Sequence, residues 1–90
     1  GTIEKTFINT NSVFIYPNPV KDVLNINMGS MASDNFKVSI RSLDGRLLQS
    51  SSHPVEQGMI SVNLPQLPKR LYLLILSSNN NQTVHKFIKE

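Results

Sequence analysis

Two histidines, His53 and His85, and the carboxylates Asp22, Asp34, Asp44 and Glu56 are the side chains best suited to acid–base or metal chemistry in this chain. Their spacing points to neither. The histidines lie 32 positions apart with no second ligand at the short intervals a zinc site uses. His53 precedes Pro54 in a turn-rich stretch and reads as a solvated loop residue. The carboxylates fall singly, in or near turns, whereas a calcium loop needs several oxygen ligands in close succession. The chain has no cysteine, and so no disulfide or thiolate site. It has no glycine-rich phosphate loop and no Gly-x-Ser-x-Gly elbow. Asn81-Gln82-Thr83 fits a glycosylation sequon but sits in an asparagine-rich turn, where such a triplet arises by coincidence. No enzyme, cofactor or metal is expected from these residues.

Charge restricts the partners. Nine basic residues against six acidic ones leave a formal charge of +3, and the Lys and Arg residues are dispersed rather than clustered. Six aromatic residues without tryptophan, and no dense basic patch, argue against nucleic-acid binding. No segment approaches the roughly 20 apolar residues that span a bilayer. No signal peptide is recognisable, and Gly1 opens as the start of a piece of a longer protein would. Ninety residues make one small domain. Residues 11–90 are expected to form it, with residues 1–10 as linker or edge strand.

The elements that must carry these residues alternate with period two. Leu24, Ile26 and Met28 face one way while Asn25 and Asn27 face the other. Phe36, Val38 and Ile40 alternate with Lys37, Ser39 and Arg41, and Ile60, Val62 and Leu64 with Ser61 and Asn63. Each run reads as a half-wet antiparallel strand. Leu71–Ser78 is apolar on both faces, the pattern of a central strand covered on both sides. Strands are also expected at Ser12–Tyr16, Arg46–Ser52 and Thr83–Glu90. Asp44-Gly45 between two such runs predicts a type I′ hairpin, and the asparagines at 79–81 can turn in the same way. Seven or eight short strands without a helix predict an all-β, immunoglobulin-like antiparallel β-sandwich.

One interruption is abrupt. In Tyr16-Pro17-Asn18-Pro19, Pro17 lacks the N–H that a ladder needs, and Pro19 biases Asn18 towards extended backbone. The result is a stiff corner that starts a new strand, and local turn chemistry alone accounts for it. The same corner is also a rigid landmark that a partner can read.

Four blocks in order carry a resemblance. IYPNPVKDVLNI (15–26), RSLDGRLL (41–48), VNLPQLPKRLYLLIL (62–76) and HKFIKE (85–90) are similar to the C-terminal sorting domains of the type IX secretion system, type A, of Bacteroidetes. Together they span nearly the whole chain. In two places the chain departs from the family pattern: Arg70 stands where members place glycine, and Glu90 follows the usual lysine-like finish. The resemblance implies a small sandwich behind an upstream cargo domain, exported through the periplasm to the cell surface or beyond. It implies an outer-membrane translocon and a surface sortase as partners. The residues that match its motifs are Pro17, Asn18, Pro19, Gly45, Lys86, Phe87, Ile88 and Lys89.

An address on a folded domain is a surface. As a closing strand, Val84, Lys86 and Ile88 share one face and His85, Phe87 and Lys89 the other. An edge strand of this kind uses lysine to deter aggregation, and it also allows a partner strand to add there or a strand-mediated dimer to form. The alternatives are a carbohydrate- or matrix-binding sandwich and a fibronectin-like spacer. Against sugar binding, tryptophan is absent and Tyr16 and Tyr72 lie in apolar runs.

Overall fold

Among the described residues seven strands form where the alternation runs: β1 (Phe14–Tyr16), β2 (Val23–Asn27), β3 (Asn35–Arg41), β4 (Leu47–Pro54), β5 (Met59–Asn63), β6 (Arg70–Ser78) and β7 (Asn81–Lys89). The structure is a computed structural model that describes residues 13–29, 35–64, 66–78 and 81–90. The expected edge strand within residues 3–9, the turn around Asp34 and the turn at 79–80 lie outside them. All strand pairs are antiparallel, in a three-stranded sheet of order β1-β2-β5 and a four-stranded sheet of order β4-β3-β6-β7. Among the described residues there is no helix. The architecture is an immunoglobulin-like β-sandwich.

The two inner faces supply the core. Leu24, Ile26 and Met28 come from one sheet with Ile60 and Val62; Phe36, Val38, Ile40, Tyr72, Leu74, Leu76 and Phe87 come from the other. Removing each such side chain from water stabilises the fold by about 1.5–3 kcal/mol. That burial is what fixes the register, because a slip by one residue would send a whole inner set to solvent. Ser39 keeps its predicted outward parity yet is buried, since it stands directly between Ser50 and Ile75 of the neighbouring strands.

The hairpin chemistry differs from the expectation. Asp44-Gly45 does not form a type I′ turn: Gly45 has a φ of +93° but Asp44 is not left-handed. Instead Gly45 N–H donates to the Ser42 carbonyl at 2.9 Å and Ser42 N–H to the Arg46 carbonyl at 3.0 Å. This is a three-residue loop closed by a left-handed glycine, and the β3–β4 register shifts beside it, after Ile40. Positive φ at two successive positions occurs at Gln57 (56°) and Gly58 (76°) instead. Glu56 and Met59 exchange both backbone hydrogen bonds across that pair, each at 3.0 Å. A two-residue turn needs both central residues left-handed to match the strand twist, and glycine at the second position lowers that cost.

β6 is central, as expected, but only its inner face is covered. Leu71, Leu73 and Ile75 on the outer face are half-buried by their sheet neighbours, and no described element lies over them. β7 is an edge strand.

Candidate functional site

The proline corner and the C-terminal tail, 70 positions apart in sequence, meet as one object. β1 ends at Tyr16, as Pro17 requires, and the Tyr16–Pro17 and Asn18–Pro19 peptide bonds are both cis. Pro17, Asn18 and Pro19 are exposed, and the next residue, Val20, drops into the core with 0% exposure. From there Val20 N–H donates to the Ile88 carbonyl at 2.8 Å, and Glu90 N–H donates to the Val20 carbonyl at 2.7 Å. Ile88 N–H donates to the Asn18 side-chain Oδ1, also at 2.8 Å. The Asn18 amide thus stands in for a strand carbonyl, and a parallel bridge from Val20 to Lys89 completes the clasp. The last residues of an edge that no other described strand covers are thereby paired. Because strand backbone groups alternate in direction, the N–H and C=O groups of Gln82, Val84 and Lys86 point to the same open side as those of Ile88.

The side chains of β7 divide as predicted. Phe87 is fully buried and pairs in register with Tyr72, the ring centroids 5.8 Å apart and tilted by 30°. The Tyr72 hydroxyl donates to the Pro68 carbonyl at 2.7 Å, so its one polar group is satisfied. Val84, Lys86 and Ile88 face solvent. Lys89 is half-buried, and its ammonium donates to the Glu90 carbonyl at 3.0 Å. Of the eight motif residues, Phe87 is therefore a core residue. The surface is supplied by Pro17, Asn18, Pro19, Lys86 and Ile88.

Gly45 lies on a separate turn at the same end of the sandwich. Arg41, just before that turn, pairs with Leu73, three positions from where β6 starts opposite Lys89. A Cβ at Gly45 would meet nothing within 4 Å, so glycine is there for its φ and not for space. Arg41 Nη1 donates to the Gly45 carbonyl at 2.8 Å. The Ser42 hydroxyl and Arg46 N–H donate to the Asp44 carboxylate. The Ser42 hydrogen bond first, then that from Arg46, lowers the Asp44 pKa below its ordinary value. Arg70, in place of the family's glycine, pairs regularly with Lys89 and has no positive φ. That departure leaves β6 intact.

His85 sits on the inner side of the edge strand, half-buried, with Nε2 3.0 Å from Thr83 Oγ1. Burial pushes its pKa below the ordinary histidine value. The unfolded chain therefore takes up a proton before the folded chain does. The neutral side chain's contribution is complete above the unfolded pKa of about 6.5 and is lost as pH falls towards the folded value. Urea midpoints measured from pH 8 to pH 5 are expected to fall, and a His85→Gln variant to fall less over that interval.

His53 is on β4, the opposite edge of the same sheet, with Nε2 2.7 Å from Ser51 Oγ. The two histidines cannot act together. Among the described residues no group of three or more histidines and carboxylates could hold a metal ion. Thr83 of the sequon is buried in β7 rather than in a turn. Contrary to the expectation from its apolar run, Tyr16 is 44% exposed and shares its outward face with Phe14, at 60%, since no described element lies over β1. Tyr72 is buried, as expected.

Sequence reasoning found the corner and the tail but not the clasp. Val20 could have been found, since it shares the parity of Leu24 and Ile26 once Asp22 is passed over. No local pattern signals that the Asn18 amide would seek a backbone N–H 70 positions away.

A family model described as a secretion system C-terminal sorting domain matches residues 14–90. No curated protein matches the chain.

Proposed function

This chain belongs to the family of secretion system C-terminal sorting domains, and from that membership we propose how its surface is used. It is the C-terminal sorting signal of the type IX system and directs its cargo across the outer membrane. The cargo is a domain fused upstream. The outer-membrane translocon reads the folded end made by Pro17, Asn18, Pro19, Lys86 and Ile88, with the Gly45 turn beside it. A surface sortase then removes the domain and leaves the cargo at the cell surface. The domain itself is non-catalytic.

The observation that supports this reading is the clasp. The two motif blocks most separated in sequence are held together by three hydrogen bonds of 2.7–2.8 Å. A machine that recognises the composite surface tests folding and identity in one step. Among the described residues no strand pairs with the outer side of Gln82–Lys86, which suits a partner strand, and such β-augmentation gives affinity without demanding a strict sequence. The same open edge can pair with a second copy at high concentration.

Fusion of residues 1–90 to a periplasmic reporter, in a host with this system, tests the reading. The reporter is expected at the cell surface, and deletion of residues 85–90 is expected to return it to the periplasm. A full-length fusion that stays in the periplasm would overturn the proposal.

A further inference from the structure

None of the four strands of the larger sheet contains an aspartate or glutamate, while together they carry Lys37, Arg41, Arg70, Lys86 and Lys89. All the carboxylates among the described residues lie outside that sheet, at Asp22, Asp44, Glu56 and Glu90. The outer face of this sheet is also apolar along its central strand β6. Leu71, Leu73 and Ile75 line up along β6, where a wet face calls for polar residues. The pairing register sets Lys37 and Arg41 on one flank and Lys86 on the other. A groove of about 390 Å³ has Leu73 and Ile75 in its floor, Lys37 and Arg41 on its β3 side and Gln82 and Val84 on its β7 side, with Lys86 next along β7, opposite Leu73.

We propose that this groove is a docking surface for a protein partner that presents an acidic and apolar segment, apolar side chains on the β6 floor and carboxylates against Lys37, Arg41 and Lys86. The inference rests on the sorting reading and names the chemistry of its partner. Contiguous exposed apolar surface rimmed by polar groups marks interaction sites. Here one sign of charge surrounds it, which steers an oppositely charged partner and rejects a like one. That argues against a second copy packed face to face, where the same three cations would oppose one another. The geometry argues against a bilayer too. Leu73 and Ile75 are half-buried in the floor beside Lys37 and Arg41, whereas an interfacial membrane element must project its apolar face into the lipid.

The test places a photo-reactive benzoylphenylalanine at Val84, which is 53% exposed beside the groove, in the reporter fusion inside secreting cells. Val23, on the other sheet and 41% exposed, carries the same group as control. The expected product is a protein adduct from position 84, absent from position 23, whose cross-linked peptide contains Asp or Glu among apolar residues. A Lys37→Glu/Arg41→Glu/Lys86→Glu variant is expected to reduce that adduct about tenfold or more, the scale on which charge steering changes association rates. The milder Lys37→Gln/Arg41→Gln/Lys86→Gln variant is expected to fall between. It provides the reading if charge reversal prevents folding. A lipid adduct, a second copy, an adduct with residues 1–12 of the same chain, no adduct, or one indifferent to charge overturns the inference. If the unmodified fusion still reaches the surface in those cases, the sorting reading stands and only the docking proposal falls. If the unmodified fusion is never exported, it is the sorting reading that fails.

Discussion

Replacing Phe87 by alanine is expected to cost about 3–5 kcal/mol, the range for emptying a buried aromatic site. The ring has 0% exposure and packs on Tyr72 directly across the β6–β7 ladder. A small domain has only about 5–15 kcal/mol in total, so this one substitution removes a large share of the stability. Urea denaturation followed by far-ultraviolet circular dichroism checks it. The midpoint should fall sharply for Phe87→Ala and much less for Phe87→Leu, which keeps most of the volume. The consequence for function is specific. Phe87 lies inside the terminal motif, yet it cannot touch a partner without leaving the core. Export of a Phe87→Leu fusion is expected to follow its stability, while Lys86→Ala is expected to leave the midpoint nearly unchanged, as substitutions at exposed sites do. A Phe87→Ala domain as stable as the parent would show that the tail is not part of the core.

Val20→Gly is the second large effect, about 2–4 kcal/mol from the lost burial of a fully enclosed side chain and the added chain entropy of glycine. Val20 is at 0% exposure, and its N–H and C=O hold Ile88 and Glu90. The glycine variant keeps both backbone groups, so its effect reports how far the buried side chain anchors the clasp. Amide hydrogen exchange is the measurement. The Ile88 and Glu90 amides are expected to exchange faster in Val20→Gly at denaturant concentrations where the Leu74 amide of central β6 is still protected, because local opening of an edge requires less free energy than global unfolding. Equal protection of all three amides would mean that the tail opens only with the whole domain.

Much of this was legible along the chain because strand sequences declare themselves locally. The alternation through Leu24–Met28, Phe36–Ile40 and Ile60–Val62 is a direct image of one buried and one wet face, and it became β2, β3 and β5 with little displacement. The ends were less legible. β4 runs on through His53 to Pro54, past the expected Ser52, because pairing with Phe36 and Asn35 of β3 holds it. The turns were misassigned for a related reason. Asp44-Gly45 has the composition of a type I′ turn, but the Ser42 and Asp44 side chains organise a longer loop. The Gln57-Gly58 turn lacks the usual asparagine or aspartate and owes its shape to the chain crossing between sheets, where the Gly58 carbonyl accepts from Met28 N–H at 2.7 Å.

β6 and the clasp show the same limit from the other side. An apolar run such as Leu71–Ile75 says that both faces avoid water; it does not say that one of them will remain without a cover from the described chain. Sequence by itself determined the strands, the inward set of side chains and the stiff corner, because each depends on residues within a few positions of one another. Tertiary structure alone decided that Asn18 and Val20 close on Ile88 and Glu90, that Phe87 belongs to the core, and that five cations and no carboxylate share one sheet. Those outcomes depend on which strands become neighbours, and neighbours are chosen by the burial of the whole inner surface rather than by any local run.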